Sequence, residues 1–358
     1  MPFGGAHLDI EGPIDETRDA FHVPRQQWDE TELASKKSVL MASRLEVRVR
    51  QIVREAEDIN SYELVAADGT ELPPFAAGAH IDVHLSSGHI RQYSLCNSPS
   101  ERHRYVIAVL DQANGRGGSR ALHRTVRVGH LLTISEPRNS FPLTETATTV
   151  LLIAGGIGIT PLMAMAYRLE SLGVEYALHY CTRSPEKTAF GTLLGSIAGT
   201  RVHYHHDGGD SQRSLDVRTL LDAPLAGSHV YCCGPAGLIA AVKSATASWA
   251  EGTVHFEYFA APSQADGGTN EDRGFKVQLA RSGKVLEVAS NSTILQTLRA
   301  AGVAVNSSCE GGTCGTCAVP YLEGRPDHRD YVLDDEEHER LITVCISRCF
   351  SPLLILDL

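Results

Sequence analysis

From residue 44 onward the hydrophobic rhythm of the chain changes twice. In "RLEVRVR" Leu45, Val47 and Val49 alternate with polar positions, the period of a half-buried strand. "HIDVHL", "RYVIAVL" and "HLLTISE" continue as alternating or β-branched runs, with "SSGH" and "NGRGG" as turns. Short strands at this spacing over 44–145 predict a small antiparallel β-barrel. Near 148 the texture changes to "TTVLLIAGGIGITPLMAMAYRLESLG", an apolar strand, a glycine turn and a helix. Thr160 is its expected N-cap, Pro161 its first helical residue and Gly173 its far end. "EYALHYCTR", "RVHYHHD" and "SHVYCCGP" add buried strands separated by helical runs, which predicts an α/β layer with a parallel sheet over 146–262.

The small, polar and aperiodic stretch 263–273 reads as a linker. After it, "FKVQLARSGKVLEV" predicts a hairpin around Ser282 and Gly283, and "STILQTLRAAG" a short helix capped by Ser292. With the closing strand "LLILDL" this gives a compact α+β unit over 274–358. Residues 1–43 show neither period and are taken as an extension. Two readings of it stay open, a partner-binding arm or a natural start at Met41.

Composition narrows the function classes. A length of 358 residues with 42% apolar content allows two or three cores. No apolar run reaches the length of a membrane span, and the acidic start argues against an export signal. Nine cysteines, an odd number, then point to a reducing cytoplasm rather than a disulfide framework. A net charge of −11 disfavours nucleic acid as a partner.

The chemistry is densest in "SSCEGGTCGTC". Cys309, Cys314 and Cys317 are spaced C-x4-C-x2-C, and Cys345 is a fourth candidate 28 residues later. That is the ligand spacing of a plant-type [2Fe–2S] centre. Gly311, Gly312 and Gly315 allow the loop to wrap closely enough to aim N–H groups at sulfur. Structural zinc ordinarily uses two C-x2-C pairs, and here there is one. Cys96, Cys181, Cys232 and Cys349 read as apolar fillers or pocket residues. His203, His205, His206 and Asp207 read as a strand entering a polar loop rather than a metal site, and "LDDEEHE" as an acidic first helical turn.

A one-electron centre needs a donor. "GRGGSRALH" places Gly117, Gly118 and Ser119 at the start of a short helix, where free N–H groups can meet a phosphate. In "RQYSLCNSP", Arg91 can supply charge, Tyr93 can cover a ring and Ser94 can bond to a polar edge. "GGIGITP" departs from G-x-G-x-x-G, yet a glycine turn opening a helix can cradle a dinucleotide pyrophosphate. "YCCGP" ends a strand of the same sheet, at the carboxyl edge where α/β folds bind ligands.

In order, "RQYSLCNSP", "GRGGSRALH", "PRNSFPL", "GGIGITP", "YCTRSPEKTAF", "CCGP", "HFEYF" and "CEGGTCGTC" make residues 44–358 resemble the phthalate dioxygenase reductase family, which includes vanillate demethylase reductases. The resemblance implies an FMN barrel, an NAD domain of the ferredoxin–NADP reductase type and a β-grasp ferredoxin. It implies that Arg91, Tyr93, Ser94, Ala108, Val109, Gly117, Gly118, Ser119 and Phe259 surround FMN. Gly155, Gly156, Thr160, Cys233, Gly234 and Pro235 would hold the nicotinamide dinucleotide. NADH is favoured over NADPH because no clear basic pair stands ready for a 2′-phosphate, Arg183 apart. Electrons would pass from NADH through FMN to [2Fe–2S] and on to a Rieske oxygenase, with no general acid or base required. Alternatives are an FAD reductase of the phenylacetyl-CoA oxygenase type, a terminal hydroxylase, or a zinc-binding module without catalysis.

Overall fold

The computed structural model describes residues 44–113, 117–223, 227–259 and 273–358. The expectations for 1–43 and for 263–272 of the linker lie outside the described residues. The first sheet holds β1 (Arg44–Ala56), β2 (Ile59–Ala66), β3 (His80–His84), β4 (Ile90–Ser94), β5 (Tyr105–Leu110) and β6 (Leu131–Ser135) in the order β4-β3-β6-β1-β2-β5. All its pairings are antiparallel. Its two outer strands meet through a bridge between Leu95 and Ile107, which curls the sheet into the expected barrel. Val47, Val49, Ile81, Ile107 and Ile134 fill the interior because strand alternation turns them to one face. Helix α1 (Gly118–Thr125) follows β5.

The second sheet is wholly parallel: β7 (Thr149–Gly155), β8 (Glu175–Thr182), β9 (Val202–His206), β10 (Ser228–Cys233) and β11 (Val254–Glu257), in the order β11-β10-β7-β8-β9. Helices α2 (Ile159–Leu172), α3 (Gly191–Ala198) and α4 (Ala236–Ala245) connect them. β7 is an apolar run because it lies in the middle of the sheet. β9, expected to be buried, is an edge strand with His203 and Tyr204 exposed. Gly173 ends α2 in the left-handed conformation, as expected. The N-cap of α2 is Gly158 rather than Thr160, since a turn of 3-10 helix over Gly156–Gly158 leads straight into the helix.

The third sheet contains β12 (Phe275–Leu279), β13 (Val285–Val288), β14 (Ala318–Glu323), β16 (Leu341–Thr343) and β18 (Leu353–Leu356), ordered β13-β12-β18-β14-β16. A separate short ladder joins β15 (Pro326–Asp327) to β17 (Arg348–Cys349). The parallel pairing of β12 with β18, beside an antiparallel hairpin, is the β-grasp pattern. Helix α5 (Ile294–Ala300) lays Ile294, Leu295 and Leu298 on this sheet. Its cap is Thr293, one residue past Ser292, because Gln296 completes a capping box with it. The acidic run forms α6 (Asp335–His338), capped by Asp334.

Candidate functional site

The cysteine loop runs from α5 to β14 and is closed by the segment after β16. Cys309, Cys317 and Cys345 are buried, and Cys314 is half-buried. The thiols associate two by two, Cys309 with Cys314 and Cys317 with Cys345. The N–H groups of Gly311 and Thr313 point at Cys309 Sγ, at 3.3 and 3.5 Å. The hydrogen bond from Cys314, helped by these amides, draws the Cys309 thiol down from its ordinary value against the effect of burial. Gly312 has φ +73°, and a Cβ there would lie 2.8 Å from Ile346 Cγ2. Four thiols in two pairs, with amides aimed at sulfur, suit a binuclear iron–sulfur centre, which these cysteines would hold.

Two glycine turns meet at the carboxyl ends of β7 and β10. A Cβ on Gly158 would sit 2.2 Å from the Cys233 carbonyl oxygen, so this turn tolerates only glycine. Gly155 in turn abuts Pro235 and Gly234. The structure therefore brings together Gly155, Gly156, Cys233, Gly234 and Pro235 at the sheet edge where dinucleotides bind. Thr160 is placed differently. It is buried, and its hydroxyl donates to the Ile157 carbonyl at 3.1 Å, which fixes the turn from within.

On the barrel, Gly117 caps α1 with φ +83°, and Gly118 and Ser119 open the helix. The Arg91 side chain lies against this N-terminus so closely that a Cβ on Gly118 would be 2.5 Å from Arg91 Cγ. A guanidinium beside free helix N–H groups fits a phosphate. Burial drives the Tyr93 hydroxyl well above its ordinary pKa, so it is neutral. Val109 departs from the expectation that it lines a ring. With Tyr105 and Ile107 its side chain points into the barrel core, and its carbonyl is held by His123 Nε2 at 2.8 Å. Ala108 faces the opposite way and joins the core beneath β7.

Of the expected site residues, Arg91, Ser94, Phe259 and Cys309 line one cleft of 330 Å³, whereas the glycine turns and the start of α1 do not line it. Its walls include Arg91 and Ser94 from the barrel, Glu257 and Phe259 from the end of β11, and Cys309 and Thr313 from the cysteine loop. Phe259 remains 42% exposed, available to cover a planar ligand. The Tyr258 hydroxyl, on the same wall, is buried with no hydrogen-bond partner.

Glu257 was not foreseen as a site residue. Burial pushes its carboxyl from 4.5 up to about 8, and a bond from Ser94 only partly offsets this. Ser94 Oγ donates to Glu257 Oε2 at 3.4 Å, and Cys233 Sγ lies 4.0 Å from the same oxygen. Barrel, glycine turn and β11 thus meet at a part-buried carboxyl whose pKa is raised well above the ordinary carboxylate range. Its signal in the sequence was a lone acid in the aromatic string "HFEYF".

The histidine-rich strand stays outside the site. His205 bonds to His179 at 3.0 Å and His206 to Thr182 at 2.9 Å, while Asp207 turns its carboxylate to the loop amide of Gly209. His328, Asp330 and His338 bring ligand atoms within 4.8 Å of one another. Asp330 already accepts from Thr343 Oγ1 and from the Leu333 amide, both at 3.0 Å, so the group ties down the turn behind the cysteine loop.

Comparison with known proteins agrees with this geometry. The model of the 2Fe-2S iron-sulfur cluster binding domain matches residues 277–349. The chain is 46% identical over 323 residues to a tert-butanol monooxygenase / tert-amyl alcohol desaturase reductase subunit of Aquincola tertiaricarbonis, covering 88% of this chain and 96% of the relative. It is 44% identical over 316 residues to phthalate dioxygenase reductase of Burkholderia cepacia, covering 88% and 97%. A solved phthalate dioxygenase reductase, described as a modular structure for electron transfer from pyridine nucleotides to [2Fe–2S], superposes with a TM-score of 0.73 at 44% identity, over 88% of this chain and 98% of that one. No helix among the described residues is long and apolar enough to cross a membrane.

Proposed function

Because the chain belongs to the phthalate dioxygenase reductase family of flavin and iron–sulfur oxidoreductases, we propose that it carries electrons from NADH through FMN to a [2Fe–2S] centre and on to a Rieske-type oxygenase in the cytoplasm. Three modules divide the work: residues 44–145 for the flavin, 146–262 for the nucleotide and 274–358 for the cluster. The observation that carries the reading is the cleft whose walls come from all three modules, with Arg91 and Ser94 of the barrel, Glu257 and Phe259 of the nucleotide module and Cys309 of the cysteine loop lining it together. Bound there, FMN supplies the conversion of a hydride into single electrons, and the cluster supplies a one-electron relay.

The chain's own residues bind and orient. Arg91 and the N-terminus of α1 hold the flavin phosphate, Ser94 offers its hydroxyl to the ring edge, and Tyr93 and Phe259 enclose the ring. The turns at Gly155–Gly158 and Cys233–Pro235 would hold the pyrophosphate, and the nucleotide bound there would supply the hydride. Glu257, whose burial favours the neutral form, would keep negative charge off the wall it shares with Ser94. Cys309, Cys314, Cys317 and Cys345 hold the two irons.

The test is a visible spectrum recorded without oxygen before and after NADH, with mass measurement of the released flavin. Flavin and iron–sulfur bands that both bleach support the reading, and FMN is the expected mass. A colourless zinc protein refutes it. FAD in place of FMN would revise the flavin alone.

A further inference from the structure

The cysteine loop and the barrel are far apart in sequence but share a buried hydrogen bond. Ser308 Oγ donates to Asp82 Oδ1 at 2.6 Å, across 226 residues of chain. Both residues are buried, Ser308 at 2% exposure and Asp82 at 7%. Ser308 immediately precedes Cys309, the cysteine that reaches the cleft wall. Asp82 is held rigidly in β3: Arg138 Nη2 lies 2.7 Å from its other oxygen, and its amide donates to Ser135 Oγ at 2.9 Å. The serine hydroxyl thus meets a carboxylate already fixed in the barrel wall.

A second contact lies on the far side of the loop. Tyr331 belongs to the turn packed on the cysteine loop, where its amide donates to the Gly312 carbonyl at 2.9 Å. Its ring stacks on Tyr258 after β11, with centroids 4.8 Å apart, and the Lys243 ammonium lies 5.3 Å from the Tyr258 ring. The loop is therefore tied to the barrel through Ser308 and to the nucleotide module through the Tyr331–Tyr258 stack. Module interfaces within a chain move by default unless specific contacts hold them.

We propose that Asp82 is a positioning residue for the flavin-to-cluster step, seating the cysteine loop on the barrel through Ser308. This rests on the function proposed above. Neither Asp82 nor Ser308 lines the cleft; Gln92, which does, also bonds to Asp82, so Ser308→Ala is the variant that reads the seat of the cluster apart from flavin binding. Its bond is charge-assisted and buried, the kind whose loss leaves a costly unpaired group and loosens the seat.

The holoprotein is mixed with NADH without oxygen in a stopped-flow instrument, and flavin and cluster bands are followed separately. Ser308→Ala removes the donor and leaves the barrel intact, Asp82→Asn weakens the acceptor, and Ser308→Thr keeps the hydroxyl. Flavin reduction is expected at the wild-type rate in both serine variants. Cluster reduction is expected to slow severalfold in Ser308→Ala and Asp82→Asn and to recover in Ser308→Thr, because electron transfer falls steeply with the distance between flavin and cluster. The cluster midpoint potential stays unchanged, and small-angle scattering gives a larger radius of gyration for Ser308→Ala. Should Asp82→Asn fail to fold, the serine pair carries the test. Wild-type cluster reduction in Ser308→Ala overturns the proposal. So does a slowing that comes with a shifted potential and an unchanged radius, because the cluster's surroundings, not its seat, would then have changed. If the wild-type protein itself shows no flavin or cluster phase, the proposed function falls instead.

Discussion

Replacing Glu257 by glutamine keeps the shape of the side chain and removes its titration. The carboxyl shifts from 4.5 to about 8 on folding, driven by burial. Between those values the unfolded chain has released this proton and the folded chain retains it. The unfolded state then binds fewer protons, and stability falls as pH rises, by about 1.36 kcal/mol per pH unit. Across the whole shift the ceiling is about 5 kcal/mol, all of it present as a penalty above the folded pKa. Relaxation and water entry around a buried charge reduce it, and about 2–3 kcal/mol is a realistic share. Glu257→Gln escapes this penalty. The assay is thermal unfolding of wild type and variant at pH 5 and pH 8.5, read on the transition of the flavin and nucleotide modules because a multidomain chain need not unfold in one step. The melting temperature of the variant, relative to wild type, should rise by about 4 °C or more between the two pH values. An equal difference at both would refute the argument that this carboxyl is buried and protonated.

Other outcomes follow from the same geometry. Gly158→Ala pushes a Cβ to 2.2 Å from the Cys233 carbonyl; it should cost about 2–4 kcal/mol in stability and raise KM for NADH while bound flavin is retained, checked by melting and steady-state kinetics. Arg91→Ala should weaken flavin binding by about ten- to a hundredfold, measured by flavin fluorescence, from the loss of a charged hydrogen-bond donor beside α1. Cys345→Ser should abolish the iron content and the iron–sulfur bands while NADH still bleaches the flavin.

What could be read from the sequence was what is local. The spacing of Cys309, Cys314 and Cys317 marks a cluster loop because three ligands must come from one short segment, and the glycines between them reflect the same wrapping. Strand and helix rhythms gave the three sheets, since burial of one face imposes its period on the residues. Helix starts were less legible: Thr160 and Ser292 look like caps, but the 3-10 turn at Gly156–Gly158 and the capping box at Thr293 moved both starts. The orientation of Val109 was available in the alternation of Tyr105, Ile107 and Val109, which place it inside the barrel. Glu257 was not legible, because its chemistry arises from Ser94, 163 residues away, and from burial that no local pattern encodes. The Asp82–Ser308 bond is hidden for the same reason.

The central claim is that electrons given as a hydride arrive singly at the four cysteines. An electron paramagnetic resonance spectrum of the protein, frozen after NADH is added without oxygen, tests it most directly. The spectrum should show the signal of a reduced [2Fe–2S] centre, absent before NADH and absent in Cys345→Ser. A bleached flavin with no iron signal in a protein that retains its iron would contradict it.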